Sequence, residues 1–113
     1  MNIRKLGDVA IVSPRGWLVG GAETDELEDA IRALLADGNR RLVLDLGEVA
    51  MLNSLAVGAL VGCRQSYRSR EGLVALCGLN TRIVRMFLLT QLNMVFELHE
   101  TLDQALASFE HVA

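Results

Sequence analysis

With 113 residues, 51% of them hydrophobic and 22% charged, the chain has the make-up of one globular domain without a disordered tail. The formal charge is -3, and the basic residues, almost all Arg, are scattered without interleaved aromatics, which argues against nucleic-acid binding. The longest apolar run counting glycine, LAVGALVGC at 55–63, falls far short of the roughly 20 residues of a membrane span, and MNIRKLGDVAIV lacks the apolar core of a signal peptide. A cytoplasmic protein with no membrane span is expected. Cys63 and Cys77 have no CxxC partner, so they read as buried free thiols in a reducing compartment.

In chain order, VAIV (9–12) and WLVG (17–20) read as short strands joined by SPRG, whose Pro14 and Gly16 supply turn chemistry for a hairpin. ETDELEDAIRALLADG follows, with Leu27, Ala30, Ile31, Leu34 and Leu35 at helical spacing. Thr24 or Asp25 is placed to cap it and Gly38 to close it. RLVLDL is a nearly continuous apolar run, the mark of a strand buried on both faces. The chain stays apolar through Leu52. Asn53-Ser54 then opens a second helix that runs to about Arg70 and ends by Gly72.

LVALC (73–77) reads as another buried strand, with a third helix from about Asn80 to Leu92 and a short strand near MVFEL. The last helix opens on the capping box Thr101-Leu102-Asp103-Gln104 and buries Leu102, Ala105, Leu106 and Phe109. The order β-β-α-β-α-β-α-β-α predicts an α/β fold: a mixed, mostly parallel sheet with an N-terminal hairpin and four helices in one domain, 1–113.

Catalytic chemistry finds few parts. The surroundings of Ser54, Leu52-Asn53-Ser54-Leu55-Ala56, do not form the G-x-S-x-G elbow of a serine hydrolase. His99 and His111, the only histidines, have no orienting carboxylate evident in the sequence. Those histidines and the cysteines share no metal-ligand spacing. No phosphate loop exists, and the acidic residues after Gly20-Gly21 would repel phosphate. A non-enzyme without cofactor or metal is expected, a hydrolase using Ser54 being the alternative.

The acidic run Glu23, Asp25, Glu26, Glu28, Asp29 suits a solvated helix N-terminus, or a rim that steers a basic partner. Gly58 and Gly62, one turn apart on the second helix, predict close packing on the sheet, with an exposed shelf as the alternative. The third helix carries Ile83, Val84, Met86, Phe87, Leu88, Leu89 and Leu92, more apolar residues than one face absorbs. Met86 or Leu89 is therefore a candidate for protein contact, unless the helix is deeply buried. Ser54 reads either as a plain helix cap or as a hydroxyl where a phosphate would be held by free N–H groups and the positive dipole end.

LVLDLGEVAMLNSLAVGALV and GLVALCGLNTRIVRMFLLTQLNMVFELHETLDQALASF together resemble the STAS domain of bacterial anti-anti-sigma factors. That family has a strand ending in D-L-S-x-V, then D-S-[ST]-G-L and a helix, a further strand, a G-L-x-x-x-V helix and T-x-x-x-A-L. The resemblance spans nearly the whole chain. It implies an anti-sigma factor antagonist that binds an anti-sigma factor, a serine kinase of the GHKL type. That kinase would phosphorylate the motif serine, and a serine phosphatase would reverse the step.

The motif serine falls on Ser54. Asn53 stands where the family has Asp, Leu55 and Ala56 where it has Ser/Thr and Gly, and Val57 where it has Leu. The expected partner-binding surface is therefore Asn53, Ser54, Leu55, Ala56 and Val57, with Ser54 as phosphoacceptor. The alternative is a non-phosphorylated STAS scaffold subunit of a signalling complex or of a lipid-transport ATPase system.

Overall fold

A computed structural model describes residues 1–110. Its strands are β1 (Asn2–Leu6), β2 (Val9–Ser13), β3 (Arg15–Leu18), β4 (Arg41–Asp45), β5 (Glu48–Leu52), β6 (Leu73–Cys77) and β7 (Glu97–His99). Its helices are α1 (Ala22–Ala36), α2 (Ser54–Arg68), α3 (Thr81–Leu89) and α4 (Leu102–Glu110), and a single 3-10 turn spans Leu92–Met94.

Five strands form one sheet in the order β1-β2-β4-β6-β7. β1 and β2 pair antiparallel, and the remaining pairs are parallel, with Val9 opposite Arg41 and Leu42 opposite Val74. The mixed, mostly parallel α/β architecture expected from the sequence is present. Central strand β4 is buried on both faces, with Leu42, Val43 and Leu44 each 0% exposed, as its unbroken apolar run requires.

Alternate residues of the sheet feed two cores. Ala10, Val12, Leu42, Leu44 and Leu76 pack beneath α1, α2 and α3. Val9, Ile11, Val43, Ala75 and Cys77 meet Ala105 and Phe109 of α4 on the opposite face. The Thr101 capping box forms on both sides: Thr101 Oγ1 accepts from the Gln104 amide at 3.1 Å, and Gln104 Oε1 accepts from the Thr101 amide at 3.3 Å.

The hairpin is not where the turn residues placed it. β2 pairs with the preceding segment, Asn2–Leu6, through Gly7-Asp8, with Gly7 at φ +64°. β1 is an edge strand exposed along its full length, so it carries no buried alternation for a sequence reading to detect. β3 instead leaves the main sheet and pairs in parallel with β5, a strand the sequence reading did not separate from the apolar stretch before Asn53. SPRG is thus a crossing from one sheet to the other.

Two helix ends also differ. α1 starts at Ala22 behind Gly21, without a side-chain cap. Thr24 is buried inside its first turn, and Thr24 Oγ1 accepts from the Gly20 amide at 2.9 Å, so the hydroxyl pins the entering loop. α3 is shorter than expected, ending at Leu89, and the last strand begins at Glu97 after the 3-10 turn. The expected closure of α1 holds, with Gly38 at φ +93° and its amide bonded to the Leu35 carbonyl.

Candidate functional site at the start of α2

The N-terminus of α2 is organised by Asn53. Its Oδ1 accepts from the Ala56 amide at 3.1 Å, which makes Asn53 the cap and leaves Ser54 as the first helical residue. Its Nδ2 donates to the Val19 carbonyl at 2.9 Å, and its own amide donates to the Leu18 carbonyl at 3.2 Å. One side chain thus caps the helix and ties it to the β3–α1 loop. An aspartate could accept the first bond but not donate the second. The plain-cap reading of Ser54 is thereby corrected: a cap requires the half-helical position, and Asn53 occupies it.

Ser54 is exposed, and its hydroxyl plays no part in the cap. The Val57 amide bonds the Asn53 carbonyl at 2.9 Å and the Ala56 amide is taken by Asn53 Oδ1. The amides of Ser54 and Leu55 precede any intrahelical acceptor, so they point outward at the positive end of the helix. No acidic residue lies in the first turn of α2. A dianion on Ser54 would meet two donors and no carboxylate within that turn.

Around the hydroxyl the surface is apolar. Leu55 is 65% exposed and folds over the backbone of Gly20: a Cβ built on Gly20 would lie 2.5 Å from Leu55 Cδ1. Gly20 also sits at φ +88°, so backbone conformation and space both call for glycine. Val57 is half-buried against the larger core. Ala56 departs from the expected contact set, because it turns inward and is 2% exposed. Asn53, Ser54, Leu55 and Val57 therefore make the accessible part of the site. Val19 and Gly20 join them, two residues the sequence reading placed at the end of a strand, with Gly20 otherwise weighed only as part of a phosphate loop and rejected; the WLVGG run, with apolar residues abutting paired glycines, was the available signal.

The other reactive groups lie apart from this surface. Cys63 and Cys77 are free and buried, and burial pushes both thiols up to about 12, with the Asp45 carboxylate adding to the effect at Cys77. Both stay protonated near neutral pH and are poor nucleophiles. His99 Nε2 is paired with Glu97 Oε1 at 2.7 Å, and His111 lies outside the described residues. Among the described residues no cluster of three metal-ligating side chains occurs, and no helix is long and apolar enough to cross a membrane.

The STAS domain profile matches residues 1–105. The chain belongs to the STAS domain family. Among its STAS relatives, an anti-sigma factor antagonist from Mycobacterium paratuberculosis, known from a crystal structure, is 30% identical and superimposes with a TM-score of 0.79, covering 95% of this chain and 90% of that one. BtrV of Bordetella bronchiseptica, provisionally named an anti-sigma factor antagonist, is 24% identical over 110 residues, 97% of this chain and 94% of its own length. SpoIIAA shares the STAS fold at 11% identity in its unphosphorylated form and 13% in its phosphorylated form. The TM-scores are 0.78 and 0.74, with coverage of 98% of both chains in the first case and of 96% and 97% in the second. Of the residues at the start of α2, Asn53 and Leu55 reach furthest toward the neighbouring loop. Both bind the β3–α1 loop, one by a hydrogen bond and one by packing.

Proposed function

We propose that the protein is an anti-sigma factor antagonist whose docking surface is the start of α2, switched by phosphorylation of Ser54. Its partner is an anti-sigma factor that is also a serine kinase of the GHKL type, and a serine phosphatase resets the switch. The observation that carries this reading is the exposed Ser54 hydroxyl, left outside the cap by Asn53 and set beside the exposed Leu55. The names of the STAS relatives support the antagonist role, and the two forms of SpoIIAA support a phosphorylated state compatible with the fold.

The physics of the switch is local. A phosphoserine carries about -1.5 to -2 charges at neutral pH. Free amides at the start of α2 hold it without refolding the domain, while its charge and hydration spoil an apolar contact over Leu55 and Val57. Incubation with the cognate anti-sigma factor and ATP, followed by phosphate-affinity electrophoresis, tests the reading. A retarded band that disappears in Ser54→Ala is expected. Tight binding of the partner without any retarded band would instead leave a non-phosphorylated STAS scaffold.

A further inference from the structure

The end of α3 and the 3-10 turn after it carry an apolar surface apart from the start of α2. Of the two α3 residues expected as candidates for contact, Met86 packs partly against the larger core, whereas Leu89 is 79% exposed. Leu88 is 56% exposed, Met94 80%, and Val95 is exposed beside them. The backbone fixes this arrangement. Gln91 takes the left-handed conformation at φ +60°; its amide bonds the Leu88 carbonyl at 3.3 Å, and its carbonyl accepts from the Met94 amide at 3.1 Å. On either side of the projection Phe87 and Phe96 are buried, with ring centroids 5.9 Å apart. Residues 88–95 therefore leave the core and return to it, rooted by two aromatic rings and tipped by aliphatic side chains.

The rim of this tip is cationic. Arg82, Arg85 and Leu89 follow one another at helical spacing on the outward side of α3, and both arginines are exposed. On the other side, Val95 shares an open cleft of about 370 Å³ with Arg64 and Arg68 of α2. Glu71 and Glu97 line the same cleft, but Glu97 is paired with His99 at 2.7 Å. None of these four arginines is in an ion pair among the described residues. The acidic run belongs to α1, which packs against α2 and β3.

The charge and shape select what could cover the tip. A second copy of the chain, related by a two-fold axis, would bring Arg82 and Arg85 against their own kind. Protein contacts are gripped mainly by aromatic or Arg anchors seated in pockets, with Leu and Val under-represented. Here the most exposed groups are aliphatic and project outward. Aliphatic tips backed by guanidinium groups suit the boundary between lipid headgroups and acyl chains, where the cations reach phosphate while the leucines lose water.

We infer that the end of α3 and the 3-10 turn form a peripheral contact for an anionic lipid surface. Leu88, Leu89, Met94 and Val95 enter the headgroup–acyl boundary, and Arg64, Arg68, Arg82 and Arg85 face lipid phosphates. The contact needs no spanning helix, and it is independent of Ser54 and of the antagonist reading.

Co-sedimentation of the full chain with vesicles of phosphatidylglycerol and phosphatidylcholine in equal parts tests this, with vesicles of phosphatidylcholine alone for comparison. The chain is expected to pellet with the anionic vesicles, to stay in the supernatant with the neutral ones, and to be released by added salt. Leu89→Gln combined with Met94→Gln is expected to lower partitioning by at least about 10-fold. Arg82→Gln with Arg85→Gln is expected to lower it too and to flatten its salt dependence. Leu6→Gln, at an exposed apolar position on β1, is the control and leaves partitioning unchanged. Matching urea midpoints check that the variants are folded. A chain that stays in the supernatant with anionic vesicles overturns the inference, as does pelleting that the Leu89–Met94 double variant does not weaken. If that variant instead weakens anti-sigma factor binding while the wild type ignores both vesicles, the tip is a protein contact and the lipid contact is wrong.

Discussion

The starts of α2 and α3 are built alike and expose different surfaces. Each is capped by an asparagine whose Oδ1 accepts from the amide three residues on, at 3.1 Å for Asn53 and 2.9 Å for Asn80. Each asparagine also donates from Nδ2 to distant backbone, Asn53 to the Val19 carbonyl and Asn80 to the Val49 and Ala50 carbonyls. Each is followed by an exposed hydroxyl at the first helical position, Ser54 or Thr81. Next comes Leu55 in one helix and the exposed Arg82 in the other. A capped helix N-terminus that could cradle a phosphate is therefore not distinctive in this molecule. What separates the two is the apolar surround of Ser54, which gives an added charge something to disrupt.

The sharpest way to break this comparison is to place a negative charge on both hydroxyl positions. Ser54→Asp is expected to weaken anti-sigma factor binding by at least about 2 kcal/mol, roughly 30-fold in Kd, because a carboxylate must be desolvated against the partner's apolar side. Thr81→Asp is expected to leave Kd within a factor of about 2, since a rim charge outside the contact is worth little. Calorimetric titration of both variants decides. Equal losses would mean that α3 belongs to the interface, and no loss at Ser54 would end the switch mechanism.

Next in size are the caps themselves. Asn53→Ala and Asn80→Ala each remove the cap, worth about 1 kcal/mol, and leave strand or loop carbonyls without their donor. A stability loss of roughly 1–2 kcal/mol is expected for each, read as a lower urea midpoint with unchanged slope. The comparison predicts a split in binding. Asn53→Ala frees the β3–α1 loop and weakens partner affinity, whereas Asn80→Ala affects stability alone. The aspartate variants sharpen this further. An aspartate keeps the acceptor and gains about 0.3–1 kcal/mol from the helix dipole, but sets a carboxylate oxygen where the amide donated to a carbonyl. Asn80→Asp is expected to cost more than Asn53→Asp, because the Asn80 amide serves two carbonyls rather than one.

These asparagines also mark where the sequence could be read and where it could not. The buried run RLVLDL, the Leu27–Leu35 spacing, Gly38 and the Thr101 capping box each carry their meaning in a few adjacent residues, and all appear in the fold as expected. Asn53 and Ser54 are both good caps by residue type, so local preference does not choose between them. The choice is made by the Val19 carbonyl, 34 residues away in the chain. β1 was hidden for a related reason: an edge strand with no buried face has no alternation to display. The pairing of β3 with β5 depends on a crossing that turn residues alone cannot distinguish from a hairpin. For the site, the phosphoacceptor candidate was legible from the motif, and its apolar surround from Leu55. Ala56 was misplaced because a motif lists neighbours in sequence without saying which way they face.

The smallest expected effect also separates α2 from α3, and it concerns glycine. Gly58 and Gly62 were expected to pack on the sheet, where a methyl group would find no room. Instead both are exposed, and a Cβ built on either meets nothing within 4 Å. They line an open groove of about 260 Å³ that also includes Glu28, Ile31 and Arg32 of α1. α3 contains no glycine. Helix propensity alone therefore makes α2 softer than its fold requires, by about 0.5–1 kcal/mol for each glycine relative to alanine. Gly58→Ala and Gly62→Ala are each expected to raise stability by that amount in urea unfolding, since the added methyl meets no obstacle. If the bare groove is a shelf on which a partner's backbone lies, the same substitutions weaken binding while they stabilise the fold. If docking is confined to Ser54 and its apolar surround, affinity stays unchanged, and the two glycines are a local softness of α2 without a role in recognition.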